Sequence, residues 1–182
     1  MYYDNPEMVW TAGARISSFG YTAHLDKGRK FNADSGFRCV DYITGCAMLI
    51  KREVIDRIGL MDPEYFLYFD DADYCTRASK AGFKCLYVPS PAVRHKTGAA
   101  WITNPTQAYY YMKNGFVFAR KNLMGTKKFT FIASQLIFLF PYYSCKMIGK
   151  DFRMFRQLAK GLRNGLLYRL PDRIKTPDRS KA

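Results

Sequence analysis

Acidic residues almost vanish from the second half of this 182-residue chain: after Asp73 no Asp or Glu occurs until Asp151. Residues 1–73 hold 8 basic and 12 acidic side chains, whereas residues 74–182 hold 21 basic and 3 acidic ones, for a net charge of +14 overall. So lopsided a charge points to an anionic partner, such as a nucleotide diphosphate, a lipid phosphate, an acidic membrane or a nucleic acid; a plain solvated basic surface is the alternative. Cysteine is sparse and unpaired in pattern. Cys39, Cys46, Cys75, Cys85 and Cys145 are odd in number and form no C-x-x-C pair, which argues against a disulfide framework and a zinc knuckle. Reduced, mostly buried thiols in a cytosolic setting fit best. No secretory signal opens the chain, and MYYDNPEMVW reads as the interior of a domain, so the expectation is a fragment. No internal repeat is visible. The longest uncharged run, Phe129 to Cys145, falls short of the roughly 20 apolar residues a spanning helix needs. It contains Gln135, is interrupted by Pro141 and is bracketed by Lys127, Lys128 and Lys146. A helix lying in the membrane surface, or packed in a helical pair, is favoured over a true span.

What is present suits a core: 48% hydrophobic and 16% aromatic residues in a length fit for one domain plus an appendage. Residues 8–25 read as two short strands around a turn at Phe19-Gly20-Tyr21, and residues 26–38 as a mobile polar loop. Val40 to Ile50 reads as a bent strand or strand pair kinked at Gly45. Lys51 to Ile58 is predicted helical, stopped by Gly59. Asp62-Pro63-Glu64 is a turn. Asp70 to Ala81 is predicted as a helix ending at Gly82, Phe83 to Pro89 as a buried strand, and Val93 to Lys96 as a shorter one. Asn104-Pro105-Thr106-Gln107 starts a helix that runs to about Leu123, with Asn as cap and Pro at the first helical position. Lys150 to Leu170 is a basic amphipathic helix, and residues 171–182 are expected to be disordered.

The stretch YFLYFDDADYCTRASKAGFKCLYVPSPAVRH, from Tyr65 to His95, concentrates the chemistry. Asp70, Asp71 and Asp73 fall in the first turn of a predicted helix. Two readings stand side by side. Asp70 as the N-cap and Asp73 as its third-position partner would explain two of the acids by capping alone. Asp71, flanked by Phe66, Tyr68, Phe69 and Tyr74, would instead be an ionised carboxylate able to take a proton from a hydroxyl, its low basicity offset by orientation. His95, one of only two histidines, is either a satisfied local group or part of a carboxylate–imidazole–phosphate shell around Mn²⁺ or Mg²⁺. A single imidazole cannot hold a metal alone. His24, in a polar stretch, has no assigned role.

Three runs in order, Thr44-Gly45-Cys46-Ala47-Met48-Leu49-Ile50-Lys51-Arg52-Glu53, Ile58-Gly59-Leu60-Met61-Asp62-Pro63 and Tyr65-Phe66-Leu67-Tyr68-Phe69-Asp70-Asp71-Ala72-Asp73-Tyr74, resemble the C-terminal half of family 2 glycosyltransferases, in their rhamnosyltransferase-like and galactofuranosyltransferase-like members. Phe83 to His95 and Gly98-Ala99-Ala100 continue the likeness. The resemblance implies an α/β chain with a partial GT-A fold: residues 1–125 as the acceptor-side half of the catalytic domain, 126–170 as a basic helical extension at the membrane surface, and 171–182 as a tail. It implies an inverting transferase that moves a sugar from a nucleotide-diphosphate donor to a glycan or lipid-linked acceptor in cell-envelope synthesis, at the cytoplasmic face of the cell membrane. Asp71 would be the catalytic base beside Asp70. Gly45, Cys46 and Asp73 would meet substrate, and His95 would meet the Mn²⁺ or Mg²⁺ carried by the donor. The family usually has Glu at the position of Asp70 and Leu or Trp at that of Tyr74. No Asp-x-Asp and no βαβ run lies upstream of residue 44, so the nucleotide-binding half is missing from the pattern and the chain alone is expected to be inactive. Two rivals remain: a non-catalytic membrane-associated interaction domain, and a nucleic-acid-binding module. The second is disfavoured, because the aromatics cluster beside acids or in apolar runs and do not interleave with Lys and Arg.

Overall fold

The computed structural model describes residues 1–17, 19, 21–96, 102–148 and 151–170. Gly98-Ala99-Ala100 and the tail 171–182 lie outside the described residues. Two small antiparallel sheets form the β part. Strands β1 (Ala14–Ile16) and β2 (Thr22–His24) pair with Ala14 opposite His24. Strands β3 (Arg38–Val40) and β4 (Cys85–Tyr87) pair with Arg38 opposite Tyr87. A bridge between Ala14 and Tyr42 joins the sheets. Gly13 makes the approach possible: its φ is +82°, and a Cβ there would meet the Val40 side chain at 2.7 Å.

The strand expected to continue through Ile50 stops at Val40. The carboxylate of Asp41 accepts from the Ile16 N–H at 2.7 Å and from Arg15 at 3.3 Å, and Tyr42 turns to Ala14, so pairing is diverted. The Phe83–Pro89 strand is shorter and less buried than expected: Leu86 is 50% exposed and Val88 49%. The β3–β4 sheet has only two strands, and part of its surface borders an open trough instead of a covering layer. The 93–96 strand reduces to one bridge between Tyr2 and His95.

The helices follow their sequence signals more closely. Helix α1 (Arg52–Ile58) ends where the Gly59 N–H, at φ +77°, returns to the Ile55 carbonyl at 2.8 Å. Helix α2 (Asp70–Lys80) ends at Ala81-Gly82. Helix α3 (Pro105–Asn122) opens with the Asn104 carbonyl oxygen Oδ1 accepting from the Gln107 N–H at 2.9 Å, and Gln107 Oε1 accepts in turn from the Thr103 N–H. Helices α4 (Gly125–Ser134) and α5 (Phe140–Ile148) are joined without a break by a π-helical turn, Gln135–Leu139. Pro141 therefore does not interrupt the run: the chain widens ahead of it, with the Phe140 N–H reaching back to the Gln135 carbonyl, which makes room for a ring that has no N–H to give. The result is a 24-residue helix, Gly125–Ile148, long and apolar enough to cross a membrane, with 28% of its most apolar stretch buried in the fold. Helix α6 (Phe152–Leu167) is capped by the Asp151 carboxylate.

One core cluster joins Ala14, Tyr42, Tyr65, Phe69, Val117, Phe118 and Phe131, and a second joins Met112, Phe116, Met147 and Leu158. Phe131 thus ties α4 to the sheets. Helix α6 lies against α3 through Gly161 and Gly165, where added Cβ atoms would stand 2.4 Å from the Tyr109 carbonyl oxygen and 2.8 Å from the Phe116 ring.

Candidate active site

Helix α2 starts in an unusual way. Its cap residue is Phe69 in the left-handed region, with no side-chain cap, so Asp70 is the first helical residue and the capping explanation of Asp70 is set aside. The turn before it holds Phe66 (φ +52°), Tyr68 (φ +65°) and Phe69 (φ +67°). Bulky residues are rare in this region, and such strain clusters at functional sites.

The three aspartates then diverge. Asp73 is 1% exposed. Its Oδ1 accepts from the Tyr65 hydroxyl at 3.1 Å and the Asn122 amide at 2.6 Å, and its Oδ2 from Arg77 Nε at 2.8 Å. The substrate-binding residue expected at Asp73 is thus buried and held by three protein donors. Asp71 is half-buried, and its two oxygens meet backbone N–H groups, of Gly45 at 3.2 Å and of Ala72 at 2.8 Å. Burial, then the neighbouring Asp70 charge, push its carboxyl up to about 6, against the pull of those N–H bonds. The sequence suggested a carboxylate of low basicity at a helix start; desolvation reverses that order. The Tyr42 hydroxyl, raised by burial and by the Asp71 charge, and the Cys75 thiol also feel this carboxylate. Neither was singled out in the sequence, because only the fold brings residues 42 and 75 to residue 71.

Gly45 is placed at the carboxylate by its N–H. The next residue, Cys46, is exposed, with its sulfur 3.1 Å from Thr44 Oγ1, and lines an open apolar trough of about 880 Å³. His95 lines the same trough. Asp71 is not among the trough's lining residues; the Thr44–Cys46 turn touches both places. His95 packs its ring on Trp10 at 4.4 Å, and His24, found in β2, packs on the same indole at 5.2 Å. The Nδ1 of His95 is buried with no hydrogen-bond partner. Among the described residues no three His, Cys, Asp or Glu side chains come together to hold a metal. Among the described residues, His95 therefore belongs to no self-contained metal centre.

The chain is thus mixed α/β, with a strained turn leading into a half-buried carboxylate of raised pKa. Residues 19–108, just under half of the chain, match the family described as Glycosyltransferase like family 2. Over that stretch the chain is similar to family 2 glycosyltransferases. It is 38% identical over 58 residues (32% of this chain, 19% of the relative) to the N-acetylglucosaminyl-diphospho-decaprenol L-rhamnosyltransferase of Mycobacterium tuberculosis. It is 31% identical over 97 residues (52% of this chain, 37% of the relative) to Rhamnosyltransferase WbbL of Escherichia coli K12. It is 33% identical over 92 residues (48% of this chain, 14% of the relative) to Galactofuranosyltransferase GlfT2 of M. tuberculosis. The matched part of the chain thus spans well under half the length of these relatives. No solved structure matches.

Proposed function

We propose that this chain supplies the acceptor-side part of an inverting glycosyltransferase with a partial GT-A fold, acting in cell-envelope glycan synthesis. The observation that carries the reading is Asp71: a half-buried carboxyl, raised to about 6, fixed by the Gly45 and Ala72 N–H groups at the end of a strained aromatic turn. At neutral pH such a group is ionised and a better base than an ordinary aspartate. It takes the proton of the acceptor hydroxyl as that oxygen forms its bond to the anomeric carbon of a nucleotide-diphosphate sugar; the bond from that carbon to the diphosphate breaks, and the nucleoside diphosphate leaves with the electron pair. Asp70 keeps the base strong through its charge. Gly45 holds the carboxylate in place, and Cys46 stands at the adjoining rim.

The wide apolar trough beside β4, together with the limited coverage of the relatives, supports a further half that binds the nucleotide. The 182 residues alone would then bind donor weakly. The acceptor is a glycan or a lipid-linked sugar, in keeping with the diphospho-decaprenol named for one relative. Exposed Phe129, Ile137 and Phe138 on the long helix, with Lys127 and Lys146 near its ends, support a seat on an anionic membrane, at the inner face of the cell membrane. The test is stereochemical. The full native gene product, given nucleotide sugars and a lipid-linked acceptor, should form one glycosidic bond per nucleoside diphosphate released, with the anomeric configuration inverted by NMR. Retained configuration would rule out the single-base displacement.

A further inference from the structure

One polar stripe of α3 is not used by this chemistry. Lys113 Nζ donates to Glu64 Oε1 at 2.6 Å, and Lys121 Nζ to Asp62 Oδ2 at 2.5 Å. Asn114 Nδ2 lies 2.5 Å from the Tyr65 carbonyl oxygen, 2.7 Å from that of Leu67 and 3.2 Å from that of Tyr68. Asn122 Nδ2 donates to Asp73 Oδ1 at 2.6 Å. All four side chains reach the 62–73 segment, so this half of the helix holds that segment in place.

That segment contains three of the four non-glycine residues with positive φ among the described residues. Each such conformation costs about 1–3 kcal/mol and persists only where its surroundings over-determine it. Asn114 is fully buried, at 0% exposure. A buried amide is unfavourable unless hydrogen-bonded, and its Oδ1 has no partner. An apolar residue of the same size would fill the volume without that unpaired oxygen. Packing thus does not account for an asparagine here, whereas the three carbonyls do. The turn turns its backbone oxygens inward, and one amide group gathers them.

We infer that Asn114, seconded by Asn122, is a positioning residue that locks the left-handed aromatic turn and thereby aims Asp70 and Asp71. This rests on the reading of Asp71 as the base. The groups that face Asp71 are Asp70 and the Ala72 N–H on its own helix, the Gly45 N–H, the Tyr42 hydroxyl and the Cys75 thiol. Replacement of Asn114 alters none of them directly.

The test compares wild type, Asn114→Ala, the milder Asn114→Ser and Asn122→Ala in the whole chain. Amide hydrogen exchange at residues 65–73 should accelerate about tenfold or more in N114A while α6 stays within about twofold. The ¹³C-detected titration of the Asp71 carboxyl should move down towards the ordinary aspartate range as the freed turn lets water in. N114S, which keeps one donor, should fall between, and it carries the test if N114A does not fold. A folded Asn114 variant with unchanged exchange at 65–73 and an unchanged Asp71 midpoint would overturn the inference. Neither readout involves sugar transfer. If the clamp behaves as described while Asp71→Asn leaves transfer intact, the functional reading fails and the positioning role stands.

Discussion

Asp71 and Asp73 stand two positions apart in one helix turn and serve different ends. Asp73 is enclosed by Tyr65, Arg77 and Asn122, while Asp71 meets only backbone donors beside the Thr44–Cys46 turn. The sequence singled out the acidic triplet but could not divide its labour, because the partner that seals Asp73 lies 49 residues away. The elevated Asp71 carboxyl has a consequence for stability. Its folded value of about 6 lies above the ordinary 3.8. The folded state therefore holds this proton more tightly than the unfolded state does. Below about pH 4 both states are protonated and the group contributes nothing; from pH 4 to 6 it becomes destabilising; above 6 it holds a constant penalty of roughly 3 kcal/mol. Asp71→Asn should accordingly raise the Tm at pH 8 by several degrees and leave it nearly unchanged at pH 3.5, as read by circular dichroism. An equal shift at both pH values would mean the carboxylate is not desolvated.

Elements with local start and stop signals were legible. Asn104-Pro105 opens α3, Gly59 closes α1 and Gly82 follows α2 because caps act within a few residues. Strands were less legible, since their pairing depends on distant partners: Val40 ends β3 because Asp41 and Tyr42 are claimed by residues 14–16. Pro141 misled for a related reason, as a π turn ahead of it absorbs the missing donor. The glycines of α6 carried no visible signal, yet they let α6 lie close against α3. Gly161→Ala would press a methyl onto the Tyr109 carbonyl oxygen. The change should lower unfolding free energy by about 1–3 kcal/mol in urea, as overpacked sites do. A variant as stable as wild type would show that α6 can slide on α3 without cost.

At the scale of the whole molecule, we propose that the excess of positive charge after residue 73 and the long helix Gly125–Ile148 act together at an anionic membrane. Exposed Ile137 and Phe138 lie on that helix, away from the core carried by Phe131. The chain should float with vesicles containing anionic lipid at low salt, less so at high salt, and hardly at all as Ile137→Asp/Phe138→Asp. Flotation indifferent to those substitutions would remove the helix from the membrane account. The charge imbalance was plain in the sequence; the trough beside β4 was not, because it arises from residues as distant as Trp10 and Val93.

In the proposed transfer one carboxyl, that of Asp71, accepts the acceptor's proton. The most direct test is the rate of sugar transfer by the full native gene product with Asp71→Asn, alongside calorimetric binding of the nucleotide sugar. We predict transfer reduced by about 100-fold or more, a general-base loss, with donor affinity unchanged. Transfer within a few-fold of wild type would mean that Asp71 is not the base.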